Sequence, residues 1–133
     1  MESNTGQEGA LSSWTVAETD NLTIQARREG GTLTAATEGR IDGANARLFL
    51  EALEGAIEDS DTAVLLDLSE LSYISSAGLR VILQTAKALR GQEAQFALCS
   101  AKGPIREVFE ISGIDQIVSI HDSEADALAS FGS

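Results

Sequence analysis

The sequence predicts an α/β domain built on a mixed, mainly parallel sheet, with an antiparallel N-terminal hairpin and about four helices. Three observations lead there. Strand-like and helix-like segments alternate from Leu22 onward in the order ββαβαβαβα. The first two strands meet at Gly30-Gly31, a pair suited to a tight turn. Residues 63–68 form a nearly continuous apolar run, the pattern of a central strand covered on both faces.

Each element has its own justification. Leu22, Ile24 and Ala26 alternate with Thr23, Gln25 and Arg27, so one face of the first strand is buried. A second alternating strand runs through Leu33, Ala35 and Thr37 and ends at Asp42-Gly43. A helix is expected over residues 44–58, with Ala46, Phe49, Leu50, Leu53 and Ile57 on one face and Asp42 as its N-cap. Leu48 falls off that stripe and is either half-buried or a partner anchor. After the run at 63–68, a polar loop leads to Ser75-Ser76 and a helix over 77–90. Leu79, Ile82, Leu83, Ala86 and Leu89 form its inner face; Arg80, Gln84 and Lys87 form an outer stripe. Residues 95–99 are the next strand, where Cys99 packs as a small apolar residue. Pro104 opens a third helix over 105–111 and Gly113 ends it. A last strand over 116–120 precedes a helix capped by Asp122 or Ser123 and ending near Phe131.

The 133 residues suit a single domain over 21–133. Residues 1–20 are polar and acidic and read as a flexible tail. Trp14 and Val16 break that pattern, either as a short extra strand, the preferred reading, or as side chains resting on the domain. Nine basic residues against 21 acidic ones give a net charge of −12. That opposes docking on phosphate backbones or anionic lipid, where Lys and Arg supply the affinity. No apolar run approaches the roughly 20 residues of a membrane helix, and the N-terminus has no signal-peptide pattern. A cytoplasmic protein without nucleic-acid partners or membrane insertion is expected. One cysteine and one histidine, Cys99 and His121, cannot form a disulfide or a zinc site by themselves. No nucleophile–base pair or metal set is visible, so neither an enzyme nor a cofactor is expected.

The informative stretch is residues 67–83, Asp-Leu-Ser-Glu-Leu-Ser-Tyr-Ile-Ser-Ser-Ala-Gly-Leu-Arg-Val-Ile-Leu. It leaves the carboxyl end of a central strand, where open α/β sheets bind ligands and partners, and starts a helix at a serine pair. Ser75 or Ser76 can cap that helix, an effect worth about 1 kcal/mol. Alternatively one of them is a phosphate acceptor. Phosphorylation would add about −1.5 to −2 charges and repel a partner that needs a neutral hydroxyl. Asp67 can serve beneath this loop or accept bonds from backbone N–H groups.

The segment Tyr-Ile-Ser-Ser-Ala-Gly-Leu-Arg-Val-Ile-Leu ending at Leu83 resembles the signature of STAS domains of the bacterial anti-sigma factor antagonist class. Gly39-Arg40-Ile41-Asp42 is similar to the family's Gly-x-hydrophobic-Asp motif before the first helix. The element order from Leu22 to Phe131 also matches. The resemblance implies partner switching. The unphosphorylated antagonist binds an anti-sigma factor that is also a serine kinase with a histidine-kinase-like ATPase fold. Serine phosphorylation ends binding, and a PPM-type serine phosphatase restores it. Aligned on Gly78-Leu79, the acceptor falls on Ser76, with Ser75 as second choice. Ser75 stands where many members carry Asp, and Ala77 where others carry Ser or Thr. The expected partner-binding set is Asp42, Ser75, Ala77, Gly78, Arg80, Gln84 and Lys87. The alternative is a stand-alone accessory subunit of a membrane ABC complex that transports lipid.

Overall fold

The computed structural model describes residues 13–131. Six strands form one sheet in sequential order: β1 (Ser13–Glu18), β2 (Leu22–Glu29), β3 (Thr32–Ile41), β4 (Ala63–Ile74), β5 (Gln95–Cys99) and β6 (Ser119–His121). The pairs β1–β2 and β2–β3 are antiparallel, and β3–β4, β4–β5 and β5–β6 are parallel. Four α-helices follow in the chain: α1 (Ala46–Ala56), α2 (Ser76–Gly91), α3 (Gly103–Ser112) and α4 (Glu124–Phe131). β1 lies where the sequence offers an extra strand around Trp14; residues 1–12 of the expected tail lie outside the described residues.

The core explains the layering. Leu66, Leu68, Leu71 and Ile74 of β4 meet Phe49 and Leu53 of α1, Val81 and Ile82 of α2, and Ile105 and Phe109 of α3. Leu65, Ala97 and Cys99 point to the other face and meet Ala127 of α4. The apolar run is therefore buried on both sides, as its composition demands. On β2, Leu22, Ile24 and Ala26 are buried and Gln25 is exposed, matching the alternation. The Gly30-Gly31 turn closes the β2–β3 hairpin with Gly30 at φ +63°.

Several boundaries differ from expectation. β4 does not end at Leu68 in a polar loop; it continues to Ile74, pairing Glu70–Ile74 with Glu38–Ile41 across two irregularities in register. Glu70 and Tyr73 pair their backbones there and Ser69 and Ser72 fall at the two irregularities, while the side chains of all four stay partly or fully exposed. α1 starts at Ala46 rather than 44 and ends at Ala56 rather than 58, because Asp42 organises a separate turn first and Ile57 is already extended. α2 spans two residues more than 77–90, and α3 starts at Gly103 with Pro104 in its first turn. Gly113 ends α3 at φ +83°. The expected strand over 116–120 is split: Ile114–Gln116 is a 3-10 turn and β6 keeps only Ser119–His121. Ser123, not Asp122, caps α4, its Oγ accepting the Asp126 N–H at 3.1 Å, while Asp122 pairs with Arg106.

Candidate functional site

The parallel strands β3 and β4 finish side by side. Ile41 lies opposite Ile74, and the Ile41 carbonyl accepts the Ser75 N–H at 2.8 Å. Asp42 and the serine pair therefore leave the sheet together at its carboxyl end. Ser75 has extended backbone angles, φ −91° and ψ 173°, and its Oγ accepts the Gly78 N–H at 3.2 Å. It is the N-cap of α2. Ser76 is the first residue of the helix; it is exposed, and its hydroxyl carries no hydrogen bond among the described residues. The two serines thus divide the readings: Ser75 holds the helix and Ser76 presents a free hydroxyl.

Gly78, one of the expected binding set, is a packing position. It is buried, and a Cβ there would sit 2.7 Å from Ile74 Cγ1 and 2.8 Å from Ile41 Cγ2. Its lack of a side chain lets α2 press onto the ends of β3 and β4, so its contribution is to packing. Ala77 is half-buried beside it.

Asp42 is half-buried, and its Oδ1 accepts the N–H groups of Ala44 and Asn45 at 3.0 and 3.1 Å. Asn45 answers by accepting the Asp42 N–H at 2.9 Å and donating to the Arg40 carbonyl at 2.9 Å. The carboxylate rigidifies the turn ahead of α1 rather than capping the helix itself, and it bonds neither serine among the described residues. Asp67 lies in mid-strand, where it accepts the Ser69 N–H at 3.0 Å. Eight strand positions separate it from Ser75, roughly 25 Å, so the role under the serine loop is excluded and the backbone role remains.

Ser76, Arg80, Leu83, Gln84 and Lys87 share one side of α2, since offsets of four, seven, eight and eleven return to the same face. All five are exposed. Leu83 was expected inside; it is 37% exposed, while Val81 and Thr85 are buried in its stead. Its position seven residues after Ser76 was the available signal. Arg27, Arg28, Arg47 and Arg106 all pair with carboxylates, and Arg40 lies 4.5 Å from the centre of the Tyr73 ring. Arg80 and Lys87, like Arg90 and Lys102, form no ion pair among the described residues. On a chain of net charge −12, this face keeps unneutralised positive charge around an exposed leucine.

The remaining chemistry is structural. Burial pushes the Cys99 thiol up to about 11, with the carboxylates of Asp67 and Glu124 adding to it against a hydrogen bond from Ser100, so it stays protonated at neutral pH. Leu48 is half-buried on α1. Among the described residues there is no cluster of metal-ligating side chains and no helix long and apolar enough to cross a membrane.

Comparison with known proteins returns a consistent set. The STAS domain profile matches residues 23–127. BtrV of Bordetella bronchiseptica, named as an anti-sigma factor antagonist, is 43% identical over 101 residues, spanning 76% of this chain and 87% of that one. The anti-sigma F factor antagonist of Paenibacillus polymyxa is 28% identical over 109 residues, covering 81% and 93% of the two chains. The crystal structure of an anti-sigma factor antagonist from Mycobacterium paratuberculosis superposes with a TM-score of 0.78 over 88% of this chain and 99% of that one, at 24% identity.

Proposed function

The chain belongs to the STAS domain family, and on that premise we propose that it is an anti-sigma factor antagonist controlled by phosphorylation of Ser76. The observation that carries the reading is the division of labour between the two serines. Ser75 is engaged with the Gly78 N–H, whereas Ser76 is exposed and free. A kinase can take Ser76 without dismantling the helix start.

The unphosphorylated chain docks on a cytoplasmic anti-sigma factor that is also a serine kinase with a histidine-kinase-like ATPase fold. The contact runs along Ser76, Arg80, Leu83, Gln84 and Lys87, with Asp42 and Ala77 at its margin. The kinase supplies Mg-ATP and the base, so this chain needs neither. The Ser76 oxygen attacks the γ-phosphorus. The new O–P bond forms as the bridging bond to the β-phosphate breaks, ADP leaves, and the hydroxyl proton passes to the kinase. The product carries about −1.5 to −2 added charges where a neutral hydroxyl faced the partner. A PPM-type phosphatase returns the hydroxyl by hydrolysis. The chain itself is a regulatory binding protein and the substrate of both enzymes.

Calorimetry with a kinase-type anti-sigma factor tests this. The native chain and Ser76→Ala bind alike, Ser76→Asp binds at least tenfold more weakly, and only the native chain takes up phosphate. Phosphorylation of Ser76→Ala to the native extent would overturn the assignment.

A further inference from the structure

Arg80 lies at an offset of four from Ser76 on the exposed face of α2, and at that spacing side chains on a helix are neighbours, with Cβ atoms about 5–6 Å apart. An acidic group N-terminal to a basic one is the favourable order of such a pair. Arg80 forms no ion pair among the described residues and is exposed, so nothing there competes for its guanidinium. A phosphate monoester offers three acceptor oxygens, and a guanidinium fork matches two of them at once.

The geometry points to Arg80 as the intramolecular receiver of a phosphate on Ser76. This rests on the reading of Ser76 as the acceptor and adds how the modification acts on the docking face. In the unphosphorylated chain Arg80 is free for an acidic partner. In the phosphorylated chain it folds back over one turn of α2 onto the phosphate. A single modification then does two things: it adds a dianion and withdraws the nearest cation from the face. Lys87, eleven residues beyond Ser76 and so about 16 Å along the axis, is left out of the pair. The other charged groups at this end of the sheet are Asp42, engaged by its own turn, Arg40, stacked on Tyr73, Asp20 in the β1–β2 turn, and, beyond β5 and β6, Lys102 and the Arg106–Asp122 pair.

The test uses the full chain with phosphoserine incorporated at position 76 during translation, so no kinase enters the result. Phosphorus NMR then follows the second ionisation of the phosphate, which lies near 6 in the absence of partners. An adjacent guanidinium favours the dianion and lowers that value. The expected shift is about half a pH unit downward in the native background relative to Arg80→Gln, with Lys87→Gln matching the native background. Equal values with and without Arg80 would overturn the pairing, as would a Lys87→Gln effect as large as that of Arg80→Gln, since a diffuse field rather than a pair would then be at work. Failure of the parent reading shows elsewhere: chain recovered from its own cells would lack phosphate on Ser76 whatever the titration gave.

Discussion

The two ends of the sheet are built in opposite ways. At the end where the parallel strands begin, side chains cross-brace the molecule. Arg28 donates through Nε and Nη2 to both oxygens of Asp61 at 2.7 Å and through Nη2 to the Ala56 carbonyl at 2.7 Å. The Trp14 ring lies over the same guanidinium at 5.5 Å. Thr62 donates its N–H to the Gly31 carbonyl, and Gln92 reaches the carbonyls of Glu58 and Asp61. At the end where the strands finish, the turns ahead of α1 and α2 are held by local side-chain bonds, Asp42 with Asn45 and Ser75 with Gly78, and the longer side-chain links are Ser72 to the Gly39 carbonyl, Arg40 over Tyr73 and Arg106 with Asp122. Ser76 is left with none among the described residues. One end resists opening, and the other leaves a hydroxyl for a partner to use. The buried ion pair thus lies at the end away from the serine pair, while Gly78 and Ser75 add packing and capping at the serine end.

The largest expected effect comes from the braced end. Asp61 is almost wholly buried, and Asp61→Ala would strand Arg28 without its carboxylate, costing about 3 kcal/mol in urea denaturation. The same pair has a pH signature. Burial pushes the Asp61 carboxyl up, but hydrogen bonds from Arg28 and the Glu58 N–H, with the Arg28 charge, outweigh it and hold the value below the ordinary carboxylate range. A carboxyl depressed in the fold stabilises it fully above its unfolded value near 3.9. That contribution is lost as pH falls through the lower folded value. Denaturation midpoints should therefore fall below about pH 4 in the native chain and fall less steeply in Asp61→Asn.

Gly78→Ala comes next. The added Cβ meets two isoleucine side chains under 3.0 Å, and overpacking of this kind costs about 1–3 kcal/mol. Ser75→Ala removes a cap and costs about 1 kcal/mol, while phosphate incorporation at Ser76 persists. Smallest on stability is Leu83→Ala, within about 0.5 kcal/mol because the side chain already meets water. Its effect should appear in partner affinity, and a large loss of stability without a loss of binding would erase the contrast between the ends.

How far the sequence revealed this follows from the range of each interaction. Alternation on β2 and the apolar run of β4 are local patterns with one physical solution, so they are legible. The alignment on Gly78-Leu79 already points to Ser76 as the proposed acceptor, whereas Ser75 is identified as the cap only by its extended backbone angles. The extension of β4 to Ile74 escaped because pairing with Glu38–Ile41 comes from another segment, while Ser69, Glu70 and Ser72 read as a loop. Arg28 and Asp61 lie 33 residues apart, and no local rule joins them. Leu83 was misplaced because an apolar residue on an amphipathic helix is assigned inward by default. Its seven-residue offset from Ser76 mattered more than its hydrophobicity.

The central claim is that the free hydroxyl at the open end is the one modified. Peptide mapping by mass spectrometry, on chain isolated from its native cells, tests it most directly. A single phosphate on Ser76, with Ser75 unmodified, is the predicted result. Phosphate on Ser75, or a serine pair bare under every growth condition, would contradict it.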